Sequence, residues 1–261
     1  MVFPTLFISH GSPMVAIENS AARDFLGRFG RELGRPEAIL VASAHFEASR
    51  PLLTADAEPE MIYDFGGFPR ALYDMQYPAP GSPALARRAV SRLEAAGFAA
   101  AAVEGRGFDH GTWVPLKLLY PEADIPVVQL SVEPQAGAAH HVALGRALAS
   151  LREERVLIIG SGSVTHNLAE LFRTRRDLDA PAPAWVTDFG AWVHDRIAAG
   201  AVDDIENYRT LAPFARENHP SEEHFLPLPF AMGAAGEKPK GKRVHTSHQY
   251  GVLMMDAYAF E

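Results

Sequence analysis

Three apolar runs, each closing on a polar turn and a histidine, restrict this chain more than any other feature of it. Leu6-Phe7-Ile8 leads into Ser9-His10-Gly11-Ser12-Pro13, and Ile39-Leu40-Val41-Ala42 into Ser43-Ala44-His45. Val156-Leu157-Ile158-Ile159-Gly160 leads into Ser161-Gly162-Ser163-Val164-Thr165-His166. Short β-prone runs bounded by proline and glycine read as buried strands. Between the first two runs, residues 20–33 have helical spacing, with Phe25, Leu26 and Phe29 on one face, and Gly34-Arg35-Pro36 ends the helix. A strand, a helix and a strand within about 40 residues make a βαβ unit with a parallel pair. His10 and His45 then share one sheet edge, at the carboxyl ends of the strands, where open α/β sheets bind ligands.

The remaining segments extend this pattern. Residues 51–83 are rich in proline and glycine, and so long an irregular stretch reads as a binding loop or lid. Ser82 and Pro83 open a helix predicted over 82–97. Further strands are expected at 99–103, 125–130 and 252–260, and helices at 114–119, 137–151 and 184–199. His140 and His141 read as surface residues at a helix start, and His194 as structural or solvated. Around Glu222-Glu223-His224, Ser221 suits a helix cap, while Pro227 and Pro229 conflict with a regular helix. No repeat or composition break marks a linker, so residues 1–261 read as a single α/β domain with a mostly parallel central sheet flanked by helices.

Bulk composition removes several function classes. A net charge of -8 gives no electrostatic support for a nucleic-acid or anionic-membrane partner. The absence of cysteine excludes disulfides, thiolate metal sites and cysteine nucleophiles. No signal peptide and no membrane span are legible, so a cytoplasmic location is expected. Eleven histidines remain, three of them at strand ends. Nitrogen and oxygen ligands without thiolates suit Fe(II), Mn(II) or Zn(II).

Several of these stretches, with others, carry a resemblance. They are Ser9-His10-Gly11-Ser12-Pro13, Ser43-Ala44-His45, Asp64-Phe65-Gly66-Gly67-Phe68-Pro69, Gly107-Phe108-Asp109-His110-Gly111-Thr112-Trp113, Ser161 to Leu168, and Glu223-His224-Phe225-Leu226-Pro227-Leu228. In this order the chain resembles the class III (LigB-type) extradiol ring-cleavage dioxygenases, in particular their 4,5-DOPA dioxygenase subgroup. The resemblance implies a mononuclear non-haem metal, normally Fe(II), with His10 and His45 as ligands. The third ligand comes from the Glu223-His224 pair; the wider family carries a glutamate, and the matching position here is His224. It further implies that His166 is the catalytic acid/base and a possible fourth ligand in a zinc-loaded form, and that His110 orients the substrate. The substrate would be a catechol-type aromatic opened with O2 to a semialdehyde. Tyr63, Phe65, Phe68 and Trp113 are candidate walls around its ring, and Arg70, Arg106 and Lys117 candidate partners for a carboxylate on it. The competing reading is a zinc hydrolase with Glu223 as base, and a third is a non-enzymatic metal-binding module.

Overall fold

The computed structural model describes residues 2–174 and 176–261. Among the described residues there are ten strands: β1 (Thr5–Ser9), β2 (Ala38–Glu47), β3 (Leu52–Thr54), β4 (Ala101–Val103), β5 (Val127–Val132), β6 (Val156–Gly162), β7 (Gly241–His245), β8 (His248–Gln249), β9 (Leu253–Met254) and β10 (Ala257–Phe260). Eight form one sheet in the order β4-β3-β5-β2-β6-β1-β10-β7, and β8 and β9 pair separately as a hairpin. The four central strands are parallel, as expected. β3 and β10 flank them antiparallel; β4 runs parallel to β3, while the edge strand β7 is antiparallel to β10 and returns to the central direction.

Helices cover both faces, which is why the central strands are buried along nearly their whole length and mostly apolar. Leu6, Ile8, Ile39, Val41, Leu157 and Ile159 point to one side, against helices Ala21–Leu33 and His110–Leu119. Leu40, Val128, Leu130 and Ile158 point to the other, against helices Pro83–Ala95, Gly137–Leu148 and Pro227–Ala234. Ser20 and Ser82 cap their helices by accepting from the amides of Arg23 and Leu85.

Several sequence expectations need correction. The helix expected at 114–119 begins at His110, because the Asp109 carboxylate accepts from the Thr112 amide and caps it. The helix expected at 137–151 ends at Leu148 and continues as a 3-10 turn, Ala149–Glu154. The closing strand is only Ala257–Phe260, since the segment from 252 to 255 joins the hairpin. Pro227 and Pro229 open a regular helix rather than disrupt one, for in the first turn an amide has no intrahelical partner to lose.

His141 is fully buried, not a surface residue. Its Nδ1 donates to the Gly137 carbonyl at 2.7 Å, and its Nε2 accepts from the Glu133 amide at 3.1 Å. Burial lowers its pKa to about 4, and burial likewise lowers that of His219 to about 3. The native state keeps both rings neutral, whereas the unfolded chain protonates them near 6.5. Between about 6.5 and 4 the unfolded chain therefore binds more protons, and stability falls with pH by about 1.4 kcal/mol per unit for each ring. The urea midpoint of wild type should drop from pH 7 to pH 5, and less steeply in His141→Gln; identical slopes would contradict this account.

Candidate metal centre

Three strand ends and one loop converge on a single point. β6 lies between β1 and β2, so His10, His45 and His166 emerge from neighbouring strands. His10 follows β1 directly, and its amide donates to Gly162 O at 3.0 Å. β2 continues to Glu47, two residues beyond the expected end at His45. Its last pair with β6 is Ser43 with Ser161, and its register with β5 shifts between Ala42 and Glu47. His45 thus sits past the regular ladder, and its side chain is free to face the sheet edge. His224 is docked through its backbone: its carbonyl accepts from Ser163 N at 2.8 Å, and a Cβ on Gly162 would lie 2.2 Å from that oxygen. Only glycine lets this loop approach so closely.

The ring nitrogens meet. His45 Nε2 lies 3.1 Å from His10 Nε2 and 3.2 Å from His224 Nε2. Nitrogens bound to one metal at about 2.0–2.1 Å, roughly 90–110° apart, are themselves about 3.0–3.4 Å apart. Each ring also has its other nitrogen against an oxygen. His10 Nδ1 is 3.0 Å from Ser161 Oγ, His224 Nδ1 is 2.9 Å from Glu223 Oε1, and His45 Nδ1 is 3.4 Å from Asp64 Oδ2. Such partners place the proton on Nδ1 and leave the Nε2 lone pair for a cation.

The Ser161 contact has its origin in a proline. Pro115 lies inside the helix His110–Leu119 and has no amide to give the Gly111 carbonyl four residues earlier. Ser161 Oγ donates to that carbonyl instead. Its hydrogen thus committed, the hydroxyl can only accept from His10 Nδ1–H.

Burial and the neighbouring histidines together lower the pKa of His10 and His224 well below the usual range, and burial first of all lowers that of His45 to about 3. Three neutral imidazoles with Nε2 of His45 at 3.1 and 3.2 Å from those of His10 and His224 fit a divalent metal, and the set holds no softer donor.

His166 stands beside this trio. Its ring stacks on His224, with centroids 3.4 Å apart and planes 9° apart, and its amide donates to Asn218 O at 2.9 Å. Burial, helped by the charge of His110, lowers its pKa to about 4. His110 donates from its amide and its Nδ1 to Asp64 Oδ1, at 3.0 and 2.9 Å. Burial alone would raise the Asp64 pKa, but the hydrogen bonds and charge of His110, with His45, pull it down to about 2.

These groups floor a cavity of about 570 Å³, walled by Phe65, Phe68, Leu171, Phe172 and Leu253. Phe65 and Phe68 occupy the place expected of them. Tyr63 and Trp113 do not line the cavity. Tyr63 OH is bonded to Met75 O at 2.6 Å, Trp113 is fully buried with Nε1 on Ile62 O at 3.1 Å, and both rings back onto Phe65 with centroids 6.2 Å away. Arg70, Arg106 and Lys117 also lie elsewhere. Arg70 pairs with Asp74, Lys117 bonds Gln76 O, and Arg106 bonds Asp109 and the His45 carbonyl at 3.2 and 3.1 Å.

Two supporting carboxylates went unassigned in the sequence. Asp64 stands in the loop already suspected of function, next to Phe65. Asp109 is buried, accepts from Ser43 Oγ at 2.7 Å and from Gln129 and Arg106, and so ties β2, β5 and the His110 helix together.

The third-ligand question has a direct test. Glu223 lies behind His224 on the Nδ1 side. Glu223→Gln should keep the metal but weaken its binding roughly 10–100-fold, the usual cost of losing a group that supports a ligand. Total loss of metal in Glu223→Gln, with retention in His224→Ala, would reverse the assignment.

Comparison with known proteins shows the family. The family "Catalytic LigB subunit of aromatic ring-opening dioxygenase" matches residues 4–260. A 4,5-DOPA dioxygenase extradiol of Portulaca grandiflora is 45% identical over 261 residues, covering 98% of this chain and 95% of its own. Its counterpart in Escherichia coli K12 is 42% identical over 240 residues, covering 90% of this chain and 87% of its own. A crystal structure of an uncharacterized Escherichia coli K12 protein superposes with a TM-score of 0.80 at 34% identity, covering 99% of this chain and 100% of its own. The match disfavours the zinc-hydrolase alternative. Among the described residues, no helix is long and apolar enough to cross a membrane. The chain belongs to the LigB family of metal-dependent aromatic ring-opening dioxygenases, and is an extradiol enzyme of that family.

Proposed function

We propose that residues 1–261 form one catalytic domain that opens a DOPA-like catechol with O2, outside its two hydroxyls, using Fe(II) held by His10, His45 and His224. The observation that carries this reading is the convergence of three Nε2 atoms at the floor of an aromatic-walled cavity, with a fourth histidine stacked alongside. Fe(II), when bound, supplies Lewis acidity toward the catechol hydroxyls and the redox chemistry that O2 requires.

The chain's own residues do the rest. Phe65 and Phe68, packed edge to face with centroids 5.4 Å apart, form one wall against which a flat ring can lie, while Leu171, Phe172 and Leu253 keep water from the reacting face. His166, neutral across the neutral pH range, takes a proton from a ring hydroxyl and returns one as the ring opens. His110, fixed by Asp64, directs its remaining nitrogen toward the substrate. Zn(II) suits the same nitrogens and competes for them.

The test is to strip the metal, reload anaerobically with Fe(II) or Zn(II), and follow O2 uptake and semialdehyde absorbance over a catechol panel. Fe(II) should support both signals and Zn(II) neither. Absence of O2 uptake with every catechol in the Fe(II) protein would overturn the reading.

A further inference from the structure

The cavity lining has a second polar feature, cationic where the histidine floor is neutral. Arg176 and Tyr250 line the cavity, and among its described lining residues Arg176 is the sole arginine or lysine. Their positions are tied together. Tyr250 (φ 55°) and Gly251 (φ 70°) are the left-handed pair that joins β8 to β9, a tight-turn geometry. Tyr250 N donates to Leu178 O at 2.8 Å, which fixes the hairpin on the segment carrying Arg176. Gly251 makes room for the arginine: a Cβ there would lie 3.2 Å from its Cδ and Nη1.

Arg176 is half-buried, and its one hydrogen bond among the described residues runs from Nη1 to Pro181 O at 3.2 Å. Glu170, whose carboxylate also feels the Arg176 charge, is gripped by Arg173 through two bonds of 3.0 and 2.7 Å, and Glu18 accepts from Tyr250 OH at 3.0 Å. Asp64, the one carboxylate among the described lining residues, is committed to His110 and His45. A guanidinium has five donors in a planar fork that matches a carboxylate. Here most of those donors are left over, at the rim of a largely apolar cavity.

We propose that Arg176 binds an anionic substituent, a carboxylate on a short side chain of the aromatic substrate, and thereby selects among catechols. This rests on the ring-cleavage reading and adds a specificity residue to it. The substrate would span the cavity, its hydroxyls at the histidine floor, its ring against the wall formed by Phe65 and Phe68, and its carboxylate in a two-bonded contact with Arg176.

Wild type, Arg176→Gln and Arg176→Lys, loaded with Fe(II), should be compared on three catechols that carry a propionate, an ethylammonium or an uncharged propyl chain. In Arg176→Gln the preference for propionate over propyl, taken as the ratio of kcat/KM values, should fall roughly 10–100-fold through KM, the scale of a lost charged hydrogen bond. Lysine should restore part of it. Calorimetric titration of the metal-free protein with 3-phenylpropionate should show binding to wild type and none to Arg176→Gln. An unchanged preference, or an equal loss on all three catechols, would overturn the proposal, as would 3-phenylpropionate binding that ignores the substitution. If the loaded wild type cleaves no catechol, the ring-cleavage reading fails, and the 3-phenylpropionate titration still decides the role of Arg176.

Discussion

His166→Ala should bind metal as wild type does and turn over roughly 10²–10⁴-fold more slowly, the usual contribution of a positioned acid/base. The separation follows from geometry. His166 contributes no nitrogen to the trio of Nε2 atoms; it lies flat against His224, 3.4 Å between ring centres. Its removal leaves His10 on Ser161, His224 on Glu223 and His45 near Asp64, so the metal site keeps its shape. The proton-transfer group alone is lost. Metal content by elemental analysis and single-turnover O2 consumption would read the two quantities separately. Loss of metal in parallel with loss of turnover would make His166 a ligand instead.

His45→Ala should lose both. His45 is central to the trio, with its Nε2 within 3.2 Å of each of the other two. The two nitrogens that remain cannot hold a divalent ion against buffer, so the penalty should exceed the roughly 10–100-fold that a supporting group costs. Activity should fall to background while far-UV circular dichroism stays unchanged, because His45 lies beyond the last regular β2–β6 pair, Ser43 with Ser161. Stoichiometric Fe(II) in the purified, dialysed variant would refute the assignment.

Much of this arrangement was legible in the sequence because it depends on short-range signals. Unbroken apolar runs gave the parallel strands, and a histidine after each run gave a position on the sheet edge, which the strand order β2-β6-β1 then brought together. His224 stands out in the sequence as part of the dense Glu222-Glu223-His224 cluster, but its role as third ligand comes only from the resemblance, since its place depends on a loop docking against Gly162. Tyr63 and Trp113 show the limit of residue type as a guide. Aromatic rings wall a cavity or pack behind its wall with equal ease, and tertiary contact decides between them. His141 was misplaced because a histidine near a helix start resembles a solvated one until its two backbone partners are known. Arg176 and Tyr250 meet through a contact between residues far apart in sequence, which no local pattern reveals.

Pro115 sets a conflict between local and functional optimisation. A helix-minded engineer would replace an interior proline with alanine and expect a firmer helix. At this position the restored amide would compete for the Gly111 carbonyl, and the Ser161 hydroxyl would be free to turn its hydrogen toward His10 instead of its lone pair. The imidazole could then adopt the other tautomer, with its Nε2 carrying a proton where a cation should sit. In the proposed metal site, a weak point in one helix is what would hold His10 in its metal-binding tautomer, so stabilising the scaffold there and keeping the metal would be opposed aims.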